Sequence, residues 1–244
     1  MALHLQMLGT GGAFAKNYFN NNALLSTDDF TLLIDCGITA PMAMHQLGVT
    51  PEKIDALLIT HIHGDHVGGL EEFAFRMKYG AGRKPVLYVA EALAGPLWDH
   101  TLKGGLGQDG ITCLEDAFDV RLLKEGVPCQ IAEGLKVELI RTPHIPGKTS
   151  FSLYINEEIF YSADMVFQPE LLQQLADERG CRKILHEVQL TGPGEVHTTL
   201  SELLSLPQKL RAMISLMHYG DEMESFIGQT GEMDFLRQHK LYTL

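Results

Sequence analysis

Cationic side chains are scarce in this sequence: 19 Lys and Arg stand against 31 Asp and Glu over 244 residues, a formal net charge of -12. That balance opposes sequence-independent attraction to a polyanion such as RNA, so any anionic substrate is expected to be small and met by local groups. Cysteine is sparse too. Cys36, Cys113, Cys129 and Cys181 show no CxxC spacing and no dense framework, which argues against a disulfide-stapled scaffold and for reduced, structural thiols. Met1 to Leu8 has no basic region and no apolar core long enough for an export signal or a membrane span, so a soluble cytoplasmic protein is expected. Internal repeats and low-complexity segments are absent. With 45% hydrophobic and 20% charged residues, the chain can bury one large core, and a single domain over residues 1–244 is the expectation.

What the sequence does have is a concentrated block of metal-binding groups. Thr60-His61-Ile62-His63-Gly64-Asp65-His66 follows the apolar run Ala56-Leu57-Leu58-Ile59, which reads as a strand buried on both faces. Gly64, Gly68 and Gly69 supply the freedom for a sharp exit. The block therefore falls at the carboxyl end of a central strand, where open α/β sheets place their sites. His61 and His63 are two apart, so in an extended backbone their imidazoles leave on the same side and can share one metal. Asp65 and His66 follow the turn and could reach a second. Such a donor set suits Zn most readily, with Mn or Fe as further possibilities.

Other segments supply candidates in chain order. Leu3 to Leu8 reads as a first strand running into Gly9-Thr10-Gly11-Gly12, which is either a tight turn or a loop lining the metal site. It lacks the full dinucleotide-binding pattern, and no Lys-Ser/Thr follows it. Ala23 to Ser26 and Phe30 to Asp35 read as strands. Asp35, at the end of a buried strand, either caps a helix over Pro41 to Leu47 or accepts a hydrogen bond from a ligand histidine. Residues 91–133, with Trp98, His100 and four nearby glycines, show no clear period. They read as a flap over the site, a segment reaching a partner subunit, or an irregular surface connection. His144, just past the strand Leu135 to Ile140, is a candidate third imidazole. Asp164, at the exit of a hairpin, can bridge two cations with its two oxygens or cap the helix Pro169 to Glu178. His186-Glu187 ends a short strand, so the two side chains point opposite ways and only one can face a site. His197-Thr198-Thr199 opens a helix, and the buried strand Met213 to Met217 delivers His218. Tyr18, Phe19 and Trp98 are candidate stacking groups for a base.

Taken together, these positions resemble the tRNase Z-like branch of the metallo-β-lactamase superfamily over nearly the whole chain. The resemblance rests on Leu8-Gly9-Thr10-Gly11-Gly12, Ile34-Asp35-Cys36-Gly37, the His-x-His-x-Asp-His block, His144, Asp164 and His218, in that order. It implies an α/β fold, an αββα sandwich of two mixed sheets with helices on the outer faces. It further implies two metals, one held by His61, His63, His144 and Asp164 and the other by Asp65, His66, Asp164 and His218. His186-Glu187-Val188-Gln189 and His197-Thr198-Thr199 are similar to the branch's His-Glu-Ala-Thr and His-Ser-Thr motifs. That similarity makes Glu187 and His197, with Asp65, the catalytic candidates. The long tRNA-gripping arm of tRNase Z has no counterpart here, since only a hairpin lies between His144 and Asp164. The short, armless core is most similar to the anti-Pycsar family of cyclic-nucleotide phosphodiesterases, which are homodimeric.

The resemblance implies a phosphodiesterase that opens cyclic mononucleotides by metal-hydroxide attack on phosphorus, carrying two Zn2+ with Mn2+ or Fe as alternatives. Its expected partner is a small anionic substrate, with a second copy of the chain, no membrane and no nucleic acid. A 3′ endoribonuclease and a lactonase or thioesterase of the same fold are the competing enzymes, and a nucleotide-binding sensor or sponge is the non-enzymatic reading.

Overall fold

The strands assemble into two seven-stranded sheets, and a computed structural model describing residues 2–244 assigns each sheet to its own compact unit. One unit holds residues 2–9, Phe19–Lys124 and Gln238–Leu244, the other Thr10–Tyr18 and Glu125–Arg237.

In the first unit the strands are β1 (His4–Gly9), β2 (Asn22–Ser26), β3 (Thr31–Ile34), β4 (Ala56–Ile59), β5 (Val86–Ala90) and β6 (Asp119–Leu123). The carboxyl-terminal strand Leu241–Thr243 lies beside β1, and the sheet then runs in sequence order to β6. Pairing is antiparallel as far as β3 and parallel from β3 to β6. Parallel neighbours need crossovers. Those crossovers are the helices α1 (Ala40–Leu47), α2 (Gly64–Val67), α3 (Leu70–Arg76), α4 (Glu91–Leu97), α5 (Lys103–Leu106) and α6 (Leu114–Ala117). β4 is buried at all four positions, as its unbroken aliphatic run requires.

The second unit repeats that division. Its strands are β7 (Cys129–Ala132), β8 (Leu135–Arg141), β9 (Phe151–Ile155), β10 (Ile159–Tyr161), β11 (Lys183–Glu187), β12 (Ile214–Met217) and β13 (Asp234–Phe235), in sequence order across the sheet. They are antiparallel from β7 to β10 and parallel from β10 to β13. The crossovers are α7 (Pro169–Asp177), α8 (Leu200–Leu204) and α9 (Gln208–Arg211). Phe160, Leu172, Leu175, Ile184, Val188, Leu203 and Leu216 join the apolar layer of this unit.

The segment read as lacking a period is ordered secondary structure. Residues 91–133 contain α4, a π-helical turn Trp98–Leu102, α5, α6, β6 and β7, and Trp98, Leu102 and Leu106 are buried. The cysteines are all free, with Cys36 and Cys181 buried. Among the described residues no helix is long and apolar enough to cross a membrane.

Candidate metal centre

The carboxyl ends of the parallel strands carry the chemistry in both units. In the first, Asp35 follows β3 in a left-handed conformation, φ 58°, and is fully buried. Burial pushes its carboxyl above the usual carboxylate range, while His66 and Thr60 pull it back. It accepts from the Thr60 amide at 2.9 Å, the Thr60 hydroxyl at 2.7 Å and His66 Nδ1 at 2.7 Å. Helix α1 begins instead behind Thr39, so Asp35 is no helix cap and serves the histidine.

Those bonds fix two tautomers. Because the Thr60 hydroxyl spends its proton on Asp35, it accepts from His61 Nδ1 at 3.1 Å and leaves Nε2 of His61 bare. His66, donating through Nδ1, likewise presents a bare Nε2, and this faces the Asp65 carboxylate at 3.2 Å. An imidazole nitrogen and a carboxylate this close are a donor pair of the kind a divalent cation takes. His61 Nε2 and His63 Nδ1 lie 3.1 Å apart. Two nitrogens bound to one tetrahedral zinc at about 2.0–2.1 Å would be about 3.3 Å apart, so the pair is spaced for a shared ion.

The second unit shows the same chemistry. His144 donates through Nδ1 to the Val196 carbonyl at 2.7 Å, which turns its bare Nε2 towards Asp164 Oδ2 at 3.7 Å. His218, left-handed at φ 58° just past β12, sets Nε2 3.4 Å from the same oxygen. Asp164 is 1% exposed, so its carboxylate depends on the groups packed around it. Helix α7 is preceded by Gln168, so Asp164 does not cap it. The donor set on each unit, imidazoles with carboxylates, fits a divalent metal.

Close to Asp164 stands the Glu187–His197 pair. Glu187, fully buried at the end of β11, accepts from His197 Nδ1 at 3.1–3.2 Å and from the Met165 amide at 2.9 Å. Burial raises its carboxyl and His197 lowers it again. The Glu187 Oε2 also lies 3.8 Å from His218 Nδ1, beyond hydrogen-bond reach but close enough for the two charges to interact. His186, on the opposite face of β11, donates to the Glu187 carbonyl at 2.7 Å, and burial holds its imidazole down to about 4. Of the adjacent pair, Glu187 is therefore the one that meets His197.

The glycine-rich loop is more than a turn: a Cβ on Gly12 would come within 3.2–3.4 Å of His218, so the loop backs that imidazole. The three candidate stacking groups are all engaged elsewhere. Tyr18 packs edge-on against Tyr219 at 5.1 Å, Phe19 stacks on His239 at 5.8 Å, and Trp98 is buried. Sequence reasoning also passed over Asn22, whose amide accepts from Gly37 N at 2.9 Å and donates to the Asp65 carbonyl at 3.2 Å. No local motif marks it.

A family model described as "Anti-Pycsar protein Apyc1" matches residues 3–242. A relative of that description from Paenibacillus sp. (strain J14) is 73% identical, with 100% of both chains covered. Among solved structures, the metallo-β-lactamase fold protein YhfI from Bacillus subtilis superposes with a TM-score of 0.74 at 18% identity over 100% of both chains. The short form of human tRNase Z does so with 0.68 at 17% identity over 98% of each. The fold is that of the metallo-β-lactamase proteins.

Proposed function

Because the chain belongs to the anti-Pycsar Apyc1 family, we propose that it is a metal-dependent phosphodiesterase that opens cyclic mononucleotides. The observation that carries this reading is the Glu187–His197 pair set close to a carboxylate, Asp164, that the Nε2 atoms of His144 and His218 approach within 3.7 and 3.4 Å. In this reading His61, His63, His144 and Asp164 hold one cation, and Asp65, His66, Asp164 and His218 hold a second. Divalent cations bound by such groups supply an activated water and offset the charge that builds on the phosphoryl oxygens.

The chain's own residues do the rest. Asp35 and Thr60 keep two imidazoles in the tautomer that offers a lone pair, and the Val196 carbonyl does so for His144. Glu187 binds Nδ1 of His197, which leaves Nε2 as the nitrogen that exchanges a proton. The His197 side chain is 24% exposed and that of Glu187 0%, so His197 is the member that substrate can touch. Water adds to phosphorus, one ester bond to the ribose oxygen breaks, and His197 delivers a proton to that departing oxygen. The product is a nucleoside monophosphate. The homodimer implied by the family resemblance belongs to the same proposal, and light scattering tests it.

The deciding experiment incubates zinc- and manganese-loaded protein with cyclic mononucleotides, a pre-tRNA, a lactone and a thioester, and separates the products. Ring opening of the cyclic nucleotides alone is expected. His197→Ala should lower turnover by about 10²- to 10⁴-fold at unchanged metal content. If elemental analysis shows metal lost in step with activity, His197 holds the site together instead of moving a proton.

A further inference from the structure

A cavity of about 520 Å³ opens in the second unit, and its lining includes groups that the proposed mechanism leaves idle. Glu187, His197 and His218 share its walls with Phe14, Gln189 and Glu222. The volume falls in the range of small-molecule sites, about 300–1,000 Å³. Phe14 is 90% exposed, an unusual state for a large apolar ring, and nothing in its own unit covers it.

The backbone on both sides of that ring is fastened. Gly12 N donates to the Tyr219 carbonyl at 3.0 Å, Tyr219 N donates to the Thr10 carbonyl at 3.1 Å, and Ala15 N donates to the Gly12 carbonyl at 3.2 Å. The Asp221 carboxylate accepts from Lys16 N at 2.9 and 3.0 Å and from Asn17 N at 2.8 Å. An aromatic face on a loop tied at both ends is already ordered, so a ligand that covers it loses little to loop ordering. Among the described residues lining the cavity there is no Lys or Arg, while Asp221 and Glu222 are there. The phosphate of a nucleotide therefore finds its partners at the histidines, and the surface around Phe14 suits the uncharged part of the molecule.

We infer that Phe14 is the platform on which the nucleobase of the substrate stacks, an inference that rests on the cyclic-nucleotide reading above. Every base offers a π face, so such a platform gives affinity with little preference among bases.

The test compares cyclic nucleotides with a base-free analogue, methyl ribofuranoside 3′,5′-cyclic phosphate. Phe14→Ala should raise KM for cyclic nucleotides by roughly 5- to 150-fold, the range of one lost base–aromatic stack, with kcat changed less than about twofold. Phe14→Trp should restore KM, and Phe14→Leu, apolar without a π face, should not. The base-free analogue should show the same KM with every variant. An equal KM rise for the analogue, or no rise for the nucleotides, overturns the platform. So does a change in mass by light scattering accompanied by loss of both activities, which would make Phe14 a contact between chains. Calorimetric binding of a nucleoside 5′-monophosphate separates the two readings. If the protein opens no cyclic nucleotide, the proposed function fails, and Phe14-dependent binding of the monophosphate still decides the platform. Because the ring is exposed, its removal does not threaten folding.

Discussion

Asp35 governs two imidazoles by two routes, one direct and one through a hydroxyl. His66 is held by the carboxylate itself, His61 by the Thr60 hydroxyl that the carboxylate accepts from. Cutting at different points should therefore give different losses. Asp35→Asn is expected to weaken metal binding by about 10- to 100-fold, the usual effect of removing a partner behind a ligand. Thr60→Val, which spares His66, should weaken only one of two binding steps. A zinc titration against a competing chelator resolves the steps, and equal losses at both steps in both variants would contradict the two-route account. The candidate ligands on the first unit could be picked out because His61, His63, Asp65 and His66 share one short segment behind an obviously buried strand. The branching at Thr60 was not, since it depends on β3 and β4 ending side by side, as parallel pairing of Leu32, Leu33 and Ile34 with Ala56, Leu57 and Leu58 makes them do.

Elements position the site through their ends, and the close approach at Gly37 shows how little room those ends have. A Cβ there would lie 1.9 Å from the Asp65 carbonyl oxygen, which is backbone and cannot swing away. Gly37→Ala must push α2 aside, and overpacking of this kind costs about 1–3 kcal/mol. For a chain of this length the expected fall in melting temperature is about 2–12 °C, with weaker metal binding in parallel. Gly95 in α4 is the control: nothing lies within 4 Å of its Cβ position, so Gly95→Ala should stabilise by about 0.5–1 kcal/mol. Scanning calorimetry of both variants checks the pair, and a Gly37→Ala protein as stable as the parent would show that α2 yields freely. The position of β4 was legible from its continuous aliphatic run, and those of β5 and β11 from short apolar cores, Val86-Leu87-Tyr88-Val89-Ala90 and Ile184-Leu185. Residues 91–133 were not, because the π-helical turn Trp98–Leu102 breaks the 3.6-residue period and α5 carries two glycines, so no amphipathic pattern survives to be read. Left-handed Asp35, Ala163 and His218 were equally hidden, since nothing but tertiary structure makes a non-glycine residue adopt that conformation just after a strand.

Across the whole molecule, net charge separates the proposed activity from its nearest rival of similar fold. A processing ribonuclease that grips RNA through its phosphates releases counterions, and its binding falls steeply as salt rises. A formal charge of -12 and a short hairpin between His144 and Asp164 work against such a grip. For a small anion approaching this surface, the long-range field is repulsive and only the site itself attracts. Raising ionic strength from about 0.02 to 0.2 M shortens the screening length from roughly 20 Å to under 10 Å. Screening then removes more of the distant repulsion than of the contact attraction. The expected outcome is a kcat/KM for a cyclic mononucleotide that stays level or rises by up to about threefold across that range. Initial rates at subsaturating substrate, with metal held constant, measure it. A tenfold fall would mean that a cationic surface, supplied by bound metal or by a second copy of the chain, draws the substrate in, and the small-substrate argument from charge would have to be abandoned.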